Sequence, residues 1–478
     1  MRVEIKHLYG GGPVRDKPVA IDVFAGAGGL SEGLHLAGWD IAVAIEKDSY
    51  AADTYEWNQN KRQGRNTVIL RSDICNVDRE KLAQAVKEAR GLALGEVDLV
   101  AGGPPCQGFS CIGPRSVDDP RNRLFLEFAR IICLVQPKIF IVENVRGILS
   151  FAQGQMPTFL GEVFRRLGYA LSYGVINSLD FGVPQNRERV IFLGIRSDIS
   201  QKLDIGALMV PGPCMPDPIR EFYHAGDKIT VREALSDLPL GRAIALEKRI
   251  WVTEERRDER ELQDEPYPYP ANRQMTPYQV AMRRQSSGIY NNHTKGISTG
   301  RLEKVRLIAE GAVAGTSSRE NSWRRLCWDR HSHTLQAHMG KDLKEFIHPS
   351  VHRWITVREA ARLQSYDDAY VFCGPQNSQL SQIGNSVPPF VGWAVGRSVG
   401  EQAMFFDPCD FPLRAAVPFK TGFVLKDPRD ARWFGLLAKG CTNDSNRVSW
   451  VMRLLYNIMI NQAKDKKPAT HAIFSKDD

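Results

Sequence analysis

A cysteine on a tight loop is the first residue in this sequence that could do covalent chemistry. Cys106 lies in the stretch GGPPCQGFS, residues 102–110, directly after the apolar run 97–101, which predicts a short buried strand. The glycines and prolines predict a tight loop at the carboxyl end of that strand, where open α/β sheets bind their ligands. A cysteine there could act as a nucleophile if its surroundings are electropositive and partly open; the alternative is an ordinary buried and inert cysteine.

Charged side chains that could assist such a nucleophile follow later. Glu143 lies at the end of the strand that begins with the apolar residues 139–142 and ends in Glu143-Asn144-Val145, and a carboxylate there is costly to bury without a partner. It could donate or share a proton during a reaction, or it could simply cap the next element. Arg187 and Arg189 enter a strand at i, i+2 spacing and therefore point to one face. They could hold an anion beside the cysteine, or they could be surface arginines on an edge strand.

The elements before the cysteine predict a nucleotide-type binding corner. The apolar strand 19–24 is followed by the glycine turn 25–29 and by a helix over 30–37, so a ligand could approach the backbone at a helix N-terminus. The turn has the spacing GxGG, which makes a dinucleotide less favoured than the spacing GxGxxG would. A second strand, 41–45, ends in Glu46, about 20 residues beyond the glycines, where an acid can bind ribose hydroxyls.

Three further segments complete the prediction for the first half. The strand 68–70 leads to Asp73, which is either a ligand-binding acid or the N-cap of the following helix. The polar loop 107–122 after the cysteine predicts a lid that closes over a substrate, with a plain surface loop as the alternative. Apolar residues at helical spacing then predict a helix over 123–136.

Composition limits the class of protein. A chain of 478 residues with 43% hydrophobic residues predicts two or three domains with a sizeable core. No apolar run approaches the roughly 18 residues of a membrane span, and the N-terminus lacks the pattern of a signal peptide. Nine cysteines, an odd count without a CxxC pair, argue against a disulfide framework and favour a reducing cytosol. The net charge of +8 mildly favours a polyanionic partner.

Several stretches together resemble one family. The sequence PPCQGFS resembles the nucleophile motif of the cytosine C5-methyltransferases, which methylate cytosine from S-adenosylmethionine. The stretch QNRER at 185–189 resembles the QxRxR motif of that family, and QIGNSVPP at 382–389 resembles its final motif. These motifs occur in the family's order between Asp22 and Pro389, which makes accidental agreement very improbable.

The resemblance implies a fold and a division of the chain. The implied fold class is α/β, with a doubly wound, mostly parallel, Rossmann-like methyltransferase sheet of about seven strands and a smaller, mixed target-recognition domain. Residues 16–208 would form the catalytic and cofactor-binding domain, and 209–375 the target-recognition domain. Residues 376–402 would return to complete the catalytic domain, which leaves 403–478 as a C-terminal extension without an assigned role.

The resemblance also implies roles for individual residues. Cys106 would be the nucleophile, Glu143 would face N3 and N4 of the target base, and Arg187 and Arg189 would bind its O2 and a phosphate. The methyl donor is S-adenosylmethionine, the product is S-adenosylhomocysteine, and no metal is expected. Relatives often carry an aromatic residue where this chain has Lys47, so one adenine-packing contact would be lost. The implied cofactor residues are Asp22, Phe24, Gly26, Gly28, Gly29, Glu46, Asp73, Ile74, Pro104, Leu124, Asn385 and Val387.

The middle of the chain predicts a nucleic-acid surface. Basic side chains are interleaved with tryptophans and histidines over 323–344, a composition that suits phosphate tracking, although a solvated basic face would look the same. Further along, Thr356 and Glu359 predict a capping box at the start of a helix. The candidate DNA-binding residues are Ser110, Arg324, Arg325 and Lys341.

The predicted reaction is methylation of a flipped-out cytosine in double-stranded DNA through a covalent bond between Cys106 and C6. We expect a monomer without membrane contact, belonging to a restriction-modification or related defence system and functionally associated with an endonuclease or defence proteins. One alternative is a tRNA cytosine methyltransferase, although the residues 107–110 have the DNA-type form. The other is a non-catalytic cofactor-binding regulator, which would usually have lost the cysteine, the glutamate or an arginine.

Overall fold

A computed structural model gives the fold and describes residues 16–105, 124–154, 156–239, 242–244, 266–270, 274–314, 323–406, 413–414 and 417–418. Strands and α-helices alternate in the first part of the chain. They are β1 (Val19–Val23), α1 (Gly29–Leu36), β2 (Asp40–Glu46), α2 (Ser49–Glu56), β3 (Val68–Arg71), α3 (Arg79–Arg90), β4 (Leu99–Gly102), α4 (Leu124–Val135), β5 (Ile139–Val145), α5 (Met156–Arg166), β6 (Tyr169–Asn177), β7 (Glu188–Arg196) and α6 (Ser197–Lys202).

Shorter elements dominate the remainder. They are β8 (Val210–Pro211), α7 (Val231–Leu235), β9 (Arg242–Ile244), α8 (Pro277–Arg283), β10 (His293–Lys295), α9 (Thr299–Arg306), β11 (Val313–Ala314), β12 (Trp323–Arg324), α10 (Val357–Leu363), α11 (Gln376–Asn385), α12 (Pro389–Gln402), β13 (Leu413–Arg414) and β14 (Val417–Pro418). A π-helix spans Trp57–Arg62, and 3-10 helices span Ile74–Asn76, Leu94–Glu96, Arg146–Gly154, Ser178–Phe181 and Ala337–Gly340.

One large sheet organises the fold. Its strand order is β14-β6-β7-β5-β4-β1-β2-β3, and the five strands from β5 to β3 are joined by parallel pairings. β7 runs antiparallel to both β5 and β6, and β14 runs antiparallel to β6. The chain order reverses at β1, between β4 and β2, and such a switch point is where open α/β sheets form a ligand crevice.

Helices cover both faces of the sheet. As a result, successive residues of a strand pack into different clusters of buried side chains. In β1, Ile21 belongs to the cluster that contains Leu82 of α3 and Phe128 of α4. Ala20 belongs to the opposite cluster, which contains Leu34 of α1 and Val395 of α12. The two-sided burial explains the near-continuous apolar sequences of these strands, and it confirms the predicted doubly wound α/β class.

The strand that carries Glu143 ends where the sequence predicts. β5 spans Ile139–Val145, so Glu143 lies in its last three residues. These residues pair with the antiparallel neighbour: Glu143 stands opposite Ile191 of β7, and Val145 stands opposite Arg189. A run of apolar residues shows where a strand is buried on both faces, whereas the hydrogen-bonding partner decides where it stops.

The late segments pack against the early ones. α12 crosses α1, and the Trp39 indole nitrogen donates to the Gly396 carbonyl oxygen at 2.9 Å. Residues beyond 402 contribute β14, an eighth strand of the sheet, and β13, which pairs with β8. The sequence predicted about seven strands and gave this extension no role, because two-residue strands leave no periodic pattern to detect.

The capping box predicted at Thr356 and Glu359 is confirmed. The Thr356 hydroxyl accepts a hydrogen bond from the Glu359 backbone nitrogen at 3.1 Å, and the Glu359 carboxylate accepts one from the Thr356 nitrogen at 2.7 Å. Arg353 also pairs with Glu359, at 2.7 Å. In the part of the chain that the structure describes, no helix has the length and apolarity needed to cross a bilayer.

The close crossing of α1 and α12 yields a prediction about stability. An ideal Cβ on Gly33 would lie 2.5 Å from the Trp393 nitrogen and closer still to the Pro389 carbonyl oxygen. Gly33→Ala should therefore cost about 1–3 kcal/mol by overpacking and lower the thermal unfolding midpoint. Gly300→Ala is the matched control, since Gly300 is also helical but has open space around its Cβ position. Equal midpoints for the two variants would contradict the close packing.

Candidate active site

A cleft of about 1300 Å³ opens at the carboxyl ends of the parallel strands. Its walls come from the loops after β1, β2, β3 and β4, from the β5–β7 pair, and from residues 334–338 and 378–387 later in the chain. The cleft therefore brings together segments that are more than 300 residues apart. The predicted residues that line it are Asp22, Phe24, Gly26, Gly29, Glu46, Asp73, Ile74, Pro104, Leu124, Glu143, Arg187, Arg189, Asn385 and Val387.

The glycine turn after β1 has the backbone conformation that glycine permits most easily. Gly26 and Gly28 have φ values of 55° and 89°, and Phe24 adopts 58° despite its side chain. The backbone nitrogen of Gly26 donates to the Glu46 carboxylate at 2.8 Å, which ties the turn to the end of β2. Gly28 is the one predicted cofactor residue that does not line the cleft: it lies behind the turn, where an added Cβ would meet the Tyr55 ring at 2.9 Å.

Two acids, the buried Asp22 and the half-buried Glu46, lie near the ends of β1 and β2. Burial raises the pKa of Asp22 to about 7, against a hydrogen bond from Ser31 that favours the ionised form. Burial also raises the pKa of Glu46, although its carboxylate accepts hydrogen bonds from the backbone nitrogens of Gly26 and Asp48. Both groups would be stabilised in their charged forms by a cation or hydroxyl donor in the cleft.

Asp73 is an N-cap that also lies on the cleft wall, so its predicted role as a ligand-binding acid stays open. Its carboxylate caps the 3-10 helix Ile74–Asn76 by accepting from the Cys75 nitrogen at 3.1 Å, and the residue also lines the cleft. Burial opposes ionisation, but the hydrogen bonds from Cys75 and the nearby Lys47 charge leave the pKa of Asp73 below its usual value. The Lys47 ammonium lies 3.4 Å from Asp73, so this cation stands at the mouth of the cleft.

Glu143 faces a single arginine. Its carboxylate lies 2.8 Å from Arg189 Nε, and the two side chains are only 12% and 14% exposed, so the pair is held in a mostly dry setting. Adjacent strands create the pair, because Val145 stands opposite Arg189 in the β5–β7 register. The bond to Arg189 keeps the Glu143 carboxylate oriented while the residue remains on the cleft wall.

The loop that leads to the predicted nucleophile passes directly beside this pair. An ideal Cβ on Gly103 would lie 3.4 Å from the Glu143 carboxylate, and the Asn144 amide donates to the Pro104 carbonyl oxygen at 3.4 Å. Asn144 was not predicted, although it stands next to Glu143 in the sequence. Cys106, Ser110 and the predicted lid lie outside the described residues, whose nearest member is Pro105.

Arg187 lines the cleft, and its guanidinium has partners inside the protein. The residue is 2% exposed, and its guanidinium donates to the carbonyl oxygens of Leu335, Gly384 and Ser386 at 2.7–3.1 Å. Arg187 therefore ties the cleft walls together, and Arg189 is the arginine that pairs with Glu143. The place of Arg187 beside the base stays a prediction. The i, i+2 spacing could not reveal the difference between the two arginines, because it depends on the segments that cover one end of β7.

Gln185 supports the same junction and was missed as a functional residue. Its amide nitrogen donates to the Leu363 carbonyl oxygen at 3.1 Å and to the Gln364 side chain. Its amide oxygen accepts from the Leu335 nitrogen at 2.9 Å. The QxRxR motif includes this glutamine, so the motif contained the signal, but its partners lie about 150–180 residues away.

The candidate DNA-binding residues separate into two groups. Arg324 lies half-buried in β12, and Lys341 is exposed beside the turn Ala337–Gly340 at the cleft rim. Arg325 corrects the prediction, because its side chain is only 3% exposed and serves as an internal donor. Its guanidinium donates at 2.6–3.0 Å to the backbone carbonyl oxygens of Val305, Ile308, His348 and Val351.

The fold and the cleft define a methyltransferase of the Rossmann-like α/β class. The family model of the C-5 cytosine-specific DNA methylases matches residues 19–401, and the chain belongs to this family. It is an enzyme of the DNA cytosine-5 methyltransferase type, which confirms the family predicted from the motifs.

Individual relatives agree with this assignment. The type II methyltransferase M.AgeI of Thalassovita gelatinovora is 32% identical over 79% of this chain and 98% of the relative. M.DdeI of Desulfomicrobium norvegicum is 32% identical over 79% of this chain and 88% of its own length. A solved structure described as a DNA modification methyltransferase encoded within an E. coli prophage has a TM-score of 0.61 and 26% identity, covering 81% of this chain and 99% of that one.

The unequal environments of the two arginines yield a prediction. Arg187→Ala should lower the unfolding midpoint by several degrees, because each buried carbonyl left without a donor costs about 1–3 kcal/mol. Arg189→Ala should reduce methyl transfer, because it leaves the Glu143 carboxylate without its cation in a mostly dry setting, and for the same reason it should also lower the midpoint. Thermal unfolding and single-turnover methylation of the same preparations measure the two effects. The assignment is wrong if Arg187→Ala is as stable as wild type.

Proposed function

We propose that this enzyme transfers a methyl group from S-adenosylmethionine to C5 of a flipped-out cytosine in a specific double-stranded DNA sequence. The observation that carries the proposal is the Glu143–Arg189 pair beside the Gly103–Pro105 segment that leads into Cys106. A general acid and a nucleophile loop at one end of a cofactor-sized cleft are what this reaction needs.

The residues of the cleft fit S-adenosylmethionine. Its positive charges suit the acids Asp22 and Glu46, and one oxygen of Asp22 is buried without a hydrogen-bond partner among the described residues, as expected of a group that awaits a ligand. Apart from the chain neighbours of Gly26, no atom of the described residues lies within 4 Å of an ideal Cβ on it, so the turn leaves room for a ligand. When bound, the cofactor supplies an electrophilic methyl group. Phe24, Asp73, Ile74, Pro104, Leu124, Asn385 and Val387 would form the remaining contacts.

The protein's own side chains make cytosine reactive. The Cys106 thiolate forms a bond to C6, and electron density moves toward N3, where Glu143 donates or shares a proton. C5 then has enamine character and forms the bond to the methyl group. A base removes the C5 proton, the C5–C6 double bond re-forms, and the Cys106 thiolate leaves. A duplex hides C6, so the base must be extruded before this attack.

The partner is double-stranded DNA, and the segment 209–375 is proposed to read its sequence. Several relatives carry type II methyltransferase names, which favours a restriction-modification or related defence role with a cognate endonuclease. A monomer acting at the nucleoid is the simplest form of such an enzyme.

Covalent trapping tests the proposed chemistry. Fluorine at C5 blocks the proton loss that releases the cysteine, so 5-fluorocytosine in a duplex pool should give a denaturant-resistant adduct with the wild-type enzyme and S-adenosylmethionine. Cys106→Ser should give none while still binding the cofactor. Modified tRNA run in parallel tests the alternative substrate: adducts on tRNA alone would overturn the DNA assignment, and adducts on neither would overturn the covalent mechanism.

A second prediction concerns the DNA-binding face. Arg324→Ala and Lys341→Ala should weaken duplex binding and each reduce the slope of log K against log salt by about 0.9, the value for one lost phosphate contact. Arg325→Ala should lower the unfolding midpoint instead, because it leaves internal carbonyls unpaired.

Lys202→Ala is the control for that measurement. Lys202 is exposed in α6, which follows the end of β7 that is farthest from the cleft. Unchanged salt slopes for Arg324→Ala and Lys341→Ala, measured beside this control, would place the DNA on another face.

A further inference from the structure

A chain of three buried polar groups lies behind the glycine turn. The Ser31 hydroxyl of α1 donates to Asp22 Oδ2 at 2.6 Å, and it lies 2.7 Å from the Tyr55 hydroxyl of α2. Asp22 is 1% exposed, and Ser31 and Tyr55 are fully buried. Neither Ser31 nor Tyr55 lines the cleft, so the sequence motifs and the cleft geometry alone give them no role.

Hydrogen-bond chemistry fixes the direction of this chain when Asp22 is ionised. A carboxylate only accepts, so Ser31 gives its single hydroxyl hydrogen to Asp22. Tyr55 must then be the donor in its bond with Ser31. The tyrosine therefore polarises the serine toward the carboxylate, and both groups favour the charged form of an acid that burial alone would keep neutral.

The other oxygen of the same carboxylate, Oδ1, is buried and has no hydrogen-bond partner among the described residues. Asp22 lines the cleft. The groups that face Asp22 electrostatically are Glu46 at the end of β2, Tyr55 of α2, and Tyr366 after α10. The two tyrosines are neutral because burial raises the pKa of each far above neutrality, so no cation from these elements balances the acid.

We propose that Ser31 and Tyr55 are positioning residues for the methyl donor: they hold Asp22 as an ionised carboxylate whose free oxygen favours the cationic cofactor. This inference rests on the proposed function, because it takes S-adenosylmethionine as the ligand. Tyr55 also contacts the rear of the glycine turn, where a Cβ on Gly28 would meet its ring at 2.9 Å. One tyrosine thereby supports both the turn and the acid.

The geometry predicts that cofactor affinity depends on pH near neutrality. The pKa of Asp22 is raised to about 7 in the ligand-free protein, so the group is mostly ionised at pH 8 and mostly protonated at pH 6. A cation binds the ionised form, and its apparent affinity scales with the ionised fraction, which falls about tenfold over that interval. Affinity for S-adenosylmethionine should therefore decrease by about tenfold from pH 8 to pH 6.

Isothermal titration of the full chain with S-adenosylmethionine at several pH values tests the inference without an activity readout. Asp22→Asn provides the baseline, because its residual pH dependence reports Glu46 and the titration of the ligand itself. Tyr55→Phe should weaken binding about fivefold at pH 7, if the lost donor raises the pKa of Asp22 by about 1. The same variant should approach wild-type affinity at pH 9, where Asp22 is ionised in both proteins.

Tyr169→Phe is the matched control. Tyr169 of β6 is also buried, and its hydroxyl donates to the Pro137 carbonyl oxygen at 2.7 Å. The Tyr169→Phe variant therefore also loses one internal hydrogen bond, but in a different part of the sheet. Its pH profile should follow that of wild type. Ser31→Ala should behave as Tyr55→Phe does.

The outcomes separate this inference from the function on which it rests. A weakening by Tyr55→Phe that is equal at pH 7 and pH 9 would show a merely structural role and overturn the inference. The inference would also be overturned if the affinity of the wild-type protein had the same pH dependence between pH 6 and pH 8 as the affinity of Asp22→Asn. That result would leave cofactor binding itself intact. Failure of the wild-type protein to bind S-adenosylmethionine at any pH would overturn the proposed function as well.

Discussion

The buried guanidinium of Arg187 joins three parts of the chain that are far apart in sequence. It lies at the start of the strand that carries Arg189, and it donates to Leu335 from the middle region and to Gly384 and Ser386 from the returning segment. A buried charge without hydrogen-bond partners is costly, so these three bonds stabilise the guanidinium in its buried position. The walls of the cleft therefore depend on contacts between segments that are about 150–200 residues apart.

Two acids of the cleft, Glu143 and Asp22, have different electrostatic surroundings. The Glu143 carboxylate has the Arg189 guanidinium within 2.8 Å, so the protein itself supplies its compensating cation. Asp22 accepts a hydrogen bond from the Ser31 hydroxyl, and burial raises its pKa to about 7. In the proposed function, the cationic methyl donor would supply the charge that balances Asp22.

Local patterns in the sequence predicted local features well. The glycine turn, the apolar strands and the capping box at Thr356 each depend on residues within a few positions of one another, and each is found within one or two residues of its predicted place. The family resemblance added the roles of Glu46, Asp73 and Asn385, whose positions on one cleft the structure brings together. The prediction was wrong for Arg325, because a basic residue among aromatics looks the same whether it faces a phosphate or four internal carbonyl oxygens.

The sequence by itself determined the class of sheet, the order of the motifs and the chemical types in the site. Backbone propensity, burial periodicity and motif spacing are short-range properties that any window of the chain displays. Only the tertiary structure decided that Arg189 and not Arg187 pairs with Glu143, and that Ser31 and Tyr55 stand behind Asp22. Those assignments depend on strand register and on contacts across tens to hundreds of residues, because a side chain's role is set by the neighbours that folding gives it.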